Sequence, residues 1–152
     1  EHNRKKIFDL IPKAFPRTIS IGRLDFMSEG LLLLTNNGDY SRTLELPQKA
    51  YERIYRVCLR GQIEKKHIYS INKGIKINNI FYERIKIKTE KSNKNFTWLI
   101  VKLREGKNRE IRNICKYFSW QIVKLIRIQY GPYKLGNLKK GQIEEIKVRE
   151  NV

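Results

Sequence analysis

Residues Arg53 to Leu59 alternate strictly, with Tyr55, Val57 and Leu59 on one side and Ile54, Arg56 and Cys58 on the other. A period of two sends successive side chains to opposite faces of a pleated strand, so this run predicts a strand with Tyr55 on its inward, apolar face. Phe96 to Leu103 reads as a second long strand, joined through the polar hairpin loop Lys91 to Asn95 to a strand over Glu83 to Thr89. Thr18 to Ile21, Leu31 to Leu34, Ile75 to Ile77, Gln121 to Ile128 and Gln142 to Val148 supply further strands.

Helical periodicity is confined to short stretches. Ile7 to Leu10 is a helical turn ahead of Pro12, Tyr40 to Leu46 ends at Pro47, and Glu64 to Lys73 is stopped by Gly74. Asn36-Asn37-Gly38-Asp39 has the composition of a tight turn. Asn108 is a fair N-cap for a helix to about Ser119, in which Ile111, Ile114, Cys115 and Phe118 form a stripe to be buried. Arg109, Arg112 and Lys116 stand on the adjoining stripe. The pattern predicts one α+β domain over residues 1–152, a mixed, largely antiparallel β-sheet flanked by helices.

Charge narrows the partner. Against 15 acidic residues stand 33 Lys and Arg, a formal charge of +18, which calls for a polyanion: RNA or DNA. A Lys-rich solvated surface explains part of that excess. No apolar run approaches the roughly 20 residues needed to span a bilayer, so no membrane association is expected. Cys58 and Cys115 lack CxxC neighbours, and His2 and His67 are the only imidazoles. These predict buried free thiols, a reducing cytoplasmic setting and no metal.

Candidate chemistry gathers in Gly22-Arg23-Leu24-Asp25-Phe26-Met27-Ser28-Glu29-Gly30, a polar loop between a β-branched strand and the apolar run Leu31 to Leu34. Two glycines would let its backbone pass close to a ligand. On these residues alone, Asp25 is open to two readings: the side chain of an Asx turn or helix cap, or a reactive carboxylate on a rigid platform.

The run GRLDFMSEGLLLLTNNGD resembles the signature of pseudouridine synthases of the Rsu and Rlu type, in which the loop Asp is the nucleophile. Three further segments resemble the family in order and spacing: Arg53 to Val57, Glu105 to Arg112, and Leu125-Ile126-Arg127 through Gly136. The resemblance implies the family's fold with a central catalytic cleft, no cofactor, and a catalytic set of Asp25, Tyr55 and Arg112. Tyr55 is expected to stack on uracil and handle a proton, and Arg112 to pair with Asp25. Arg23, Arg109, Lys116, Leu125 and Arg127 are expected to contact substrate. The sequence at the start of the Arg112 helix is closer to the ribosomal RNA branch, which points to large-subunit ribosomal RNA as partner and, by default, to a monomer. Arg53 replaces a common Lys and Glu144 a common Arg, the second bearing on local RNA contact. An S4-type RNA-binding domain usually precedes this catalytic domain and is expected to be absent from this sequence, which bears on substrate affinity more than on the chemistry. Rival readings are a non-catalytic RNA-binding or ribosome-assembly protein of the same fold, and a DNA-binding module, for which no helix-turn-helix or zinc spacing is visible.

Overall fold

The computed structural model describes residues 7–46, 51–83, 85–104 and 109–149. Three long strands make its centre: β4 (Arg53–Arg60), β8 (Phe96–Leu103) and β9 (Ile122–Tyr130). With β7 (Ile85–Ser92) and β10 (Tyr133–Lys134) they lie in the order β10-β9-β4-β8-β7, every pairing antiparallel. A two-residue strand, β2 (Glu29–Gly30), adds to β9 in parallel. The remaining strands form two small hairpin-like pairs, β1 (Ile19–Ile21) with β3 (Leu33–Thr35) and β5 (Ile75–Ile77) with β6 (Ile80–Tyr82). The expected mixed, largely antiparallel α+β architecture is therefore present.

The alternation read in β4 sets the layers. Val57, Leu59, Leu99, Val101 and Leu125 face a core shared with Ile111, Ile114 and Cys115 of helix α4 (Glu110–Tyr117) and Ile71 of α3 (Lys65–Lys73). Full burial of each such aliphatic side chain stabilises the fold by about 1.5–3 kcal/mol relative to exposure. A smaller cluster of Ile21, Leu31, Leu33, Leu44, Tyr130 and Tyr133 holds β1, β3 and α2 (Gly38–Glu45) against the far end of β9.

Several boundaries differ from the sequence reading for identifiable reasons. Asn37 is an N-cap: its side chain accepts from the amides of Asp39 and Tyr40 at 3.0 and 3.1 Å, so α2 begins where a turn was expected. Asn78 and Asn79, both at positive φ, turn the chain between β5 and an unexpected β6. The expected N-cap Asn108 lies outside the described residues, and α4 starts behind Arg109, which is left-handed at φ 51°. The strand expected over Gln142 to Val148 is absent; these residues join no ladder, and Ile146 and Val148 are 53% and 57% exposed. α1 (Ile7–Leu10) is the short helical turn anticipated.

Candidate active site

Asp25 sits in a tight turn, where the Ser28 amide donates to the Asp25 carbonyl at 2.9 Å. The loop around it is fastened at both ends. At its start, Gly22 adopts φ 69° and its amide donates to Glu45 Oε1 of α2 at 2.8 Å. At its close, Glu29 and Gly30 pair with Ile126 and Arg127, and the Leu31 amide donates to the Arg127 carbonyl at 2.8 Å. Gly30 is required here: a Cβ on it would lie 2.2 Å from the Arg127 carbonyl oxygen, with φ already at 108°.

Across the cleft, α4 presents Arg112. Its Nε donates to Asp25 Oδ2 at 3.1 Å, and its Nη2 reaches Ser28 Oγ at 3.4 Å. The two side chains are 16% and 30% exposed, shielded enough to keep one geometry and open enough to meet a ligand. Ser28 was not singled out from the sequence, although it stands three residues from Asp25 in the same loop. Glu45, which holds Gly22, carried no sequence signal.

Arg127 lies beneath the loop. It is 2% exposed, its Nε donating to the Leu31 carbonyl at 2.9 Å and its Nη1 to the Arg23 carbonyl at 3.4 Å, while Nη2 is buried without a hydrogen-bond partner. A guanidinium has a rigid fork of donors and no route to neutrality, so here it acts as a clamp on the two carbonyls that flank the Asp25 turn. It faces the loop backbone, so the structure gives it a role in holding the loop beside the substrate contact expected from the sequence. Leu125, expected as a pocket wall, is 4% exposed and packs in the core beside Val57.

Tyr55 is half-buried and packs against the main core; its cross-strand neighbour on β9 is Arg127. The residue that fastens the Asp25 loop is thus also the one beside Tyr55. Arg23 is exposed on the loop. Arg109 and Lys116, also exposed, border a cleft of about 450 Å³ along α4, with Arg112, Ser119, Trp120 and Gln121. Trp120 stacks on Phe118 at 4.9 Å, and His67 of α3 lies 4.6 Å from Phe118, so three rings brace that end of α4. Behind it, burial pushes the Cys115 thiol up to about 12, against the weaker opposing pull of Arg112. Among the described residues no group of three or more His, Cys, Asp or Glu could hold a metal ion.

Residues 2–117 match the family model for RNA pseudouridylate synthase. An uncharacterised RNA pseudouridine synthase of Rickettsia prowazekii is 50% identical over 146 residues, which are 95% of this chain and 60% of that protein. A ribosomal large subunit pseudouridine synthase B of Buchnera aphidicola is 40% identical over 144 residues, 91% of this chain and 56% of that protein. The chain therefore spans about three-fifths of the length of these relatives. A crystal structure of a pseudouridylate synthase superposes with a TM-score of 0.76 at 24% identity, over 90% of this chain and 59% of that one, which shows a shared fold. With its family model matched over most of the chain and half its residues shared with one relative, this chain belongs to the RNA pseudouridylate synthase family.

Proposed function

We propose that this chain is the catalytic domain of a pseudouridine synthase that isomerises uridine in large-subunit ribosomal RNA. The observation that carries the reading is the Asp25–Arg112 pair, a carboxylate held on a clamped loop at the mouth of a basic cleft. The Buchnera relative's substrate and the +18 charge of this chain support ribosomal RNA as partner.

The reaction breaks the bond from ribose to uracil N1, turns the base and rejoins it through C5, so no electron pair or group is gained or lost overall and no cofactor is required. Asp25 supplies the nucleophilic or charge-stabilising carboxylate, and Arg112 fixes its orientation. Tyr55 stacks on the uracil and handles the proton that leaves C5. The target nucleotide has to leave its stack, at about a few kcal/mol, and Arg23 on the loop takes the vacated space or a phosphate. Arg109 and Lys116 hold phosphates along α4.

The test is Asp25→Asn. The variant should fold as the wild type does and form no pseudouridine in large-subunit ribosomal RNA, while the wild type does. Near-normal turnover by the variant removes the reading.

A further inference from the structure

We propose that the sheet face turned away from α3 and α4 is a second RNA-binding surface, one that takes the phosphodiester backbone of ribosomal RNA outside the segment being modified. The inference rests on ribosomal RNA being the substrate.

The ladder register defines this face. One row across it is Lys88, Ile100, Arg56 and Ile126, and the next is Lys91, Trp98, Cys58 and Lys124. Lys102, paired with Ile54, lies on the third row. Lys88, Lys91 and Lys124 are exposed, and Trp98, Ile100, Ile126 and Lys102 are half-exposed. The helices bury their apolar stripes against the opposite face, with Val57, Leu99 and Val101. Lys86 does not contribute, because its ammonium turns over the sheet edge to the Asn72 carbonyl.

The cations converge on the middle of the face. Arg56 lies over the Trp98 ring at 4.4 Å and Lys91 at 5.8 Å. At the centre, Cys58 feels Lys124, Arg56, Arg60 and Lys91 pulling its thiol down against the stronger upward push of burial. Among the described residues, the carboxylates of Glu90 and Glu29 share the face. Glu90 is occupied by Arg56 Nε and Nη2 at 3.2 and 2.6 Å, and Glu29 lies at the β2 edge beside Ile126. The lysine ammoniums therefore remain in excess. From β7 to β9 is three strand spacings, about 14 Å, wide enough for a backbone to meet several phosphates.

Charge complementarity selects the partner. The cores of protein–protein interfaces are depleted of charge and lysine is disfavoured in them, whereas here lysines surround a small half-exposed apolar strip. A flexible ammonium on a long stem suits sequence-independent phosphate contact. Tyr55 and Arg112 address the other face, so the two surfaces could engage two separate stretches of one large RNA.

The test measures binding of large-subunit ribosomal RNA against salt for the wild type, Lys88→Gln/Lys124→Gln, Arg109→Gln/Lys116→Gln and the quadruple variant, with pseudouridine formation read in parallel. The expected result is that each pair lowers the slope of log K against log[salt] by about 1.4 to 1.8, and that the two losses add in the quadruple variant. Photo-cross-linking of the same RNA should label the Trp98 peptide in wild type. Unchanged affinity and slope in Lys88→Gln/Lys124→Gln overturn the inference, as does loss only of binding to vesicles of anionic phospholipid or to an acidic protein. If the wild type forms no pseudouridine yet the lysine pair still carries binding, the catalytic reading fails and this surface stands.

Discussion

Arg112 Nε lies 3.1 Å from Asp25 Oδ2, joining residues 87 positions apart in the chain. The contact fixes the carboxylate from the side of α4, whereas backbone hydrogen bonds hold the loop main chain that carries it. Arg112→Ala removes a charge-assisted hydrogen bond of about 1.5–3 kcal/mol, so the single-turnover rate of pseudouridine formation should fall about 10- to 100-fold. Arg112→Lys restores the charge without the fork and should recover only part of the loss. Wild-type rates in both variants would show that the pair is not used.

Tyr55→Phe keeps the ring and removes the hydroxyl. If the hydroxyl moves the C5 proton, kcat should drop about 10²- to 10⁴-fold with little change in RNA affinity. An unchanged kcat assigns Tyr55 to packing alone.

Arg127 is tested through stability as well as turnover. Arg127→Ala leaves the Leu31 and Arg23 carbonyls without their donor, at about 1–3 kcal/mol for the buried Leu31 acceptor, and should lower the denaturation midpoint together with activity. Gly30→Ala should act alike, because its Cβ meets the Arg127 carbonyl at 2.2 Å. If Arg127→Ala keeps full stability and loses only RNA affinity, the clamp is wrong and direct contact is right.

Arg109→Ala and Lys116→Ala, taken singly, should each weaken RNA binding and reduce its salt slope by about one unit. Titration of a fluorescent ribosomal RNA fragment at several salt concentrations reads this directly. A slope equal to that of the wild type in both variants contradicts phosphate contact along α4.

Cys115 sets an alkaline limit on stability. Its thiol ionises near the ordinary value of 9.0 in the unfolded chain and at about 12 in the fold. The folded state thus holds its proton where the unfolded chain releases it. That contribution is fully present below pH 9.0 and is lost progressively as pH rises to about 12. Cys115→Ala should unfold with a shallower loss of stability over that window, measured by denaturant titration at each pH. An identical pH slope in the two proteins contradicts the assignment.

Much of the framework was legible because it rests on local periodicity. β4 alternates with a period of two, and in α4 the buried Ile111, Ile114 and Cys115 fall on the stripe that the spacing marks. Gln142 to Val148 shows the limit: a strand needs a neighbour's free edge, which local composition does not reveal, and β10 pairs with β9 without drawing this segment in. The residues alone left Asp25 between a turn and a catalyst, and it was the family resemblance that selected Arg112 as its partner. The burial of Arg127 was not read from the sequence, because the family resemblance alone placed it in the site. Yet the strand's parity put it on the face of the buried Leu125, two residues away, and that signal was available.

The contacts that shape the Asp25 loop come from late in the polypeptide. Arg112 reaches back 87 residues to Asp25, and Arg127 reaches 96 to Leu31 and 104 to Arg23. During synthesis Asp25 leaves the ribosome long before either arginine exists, and closing such long loops is the slow part of folding. Nascent chains shorter than residue 127 therefore carry the carboxylate without its geometry, so the arranged loop arrives only once translation has passed β9.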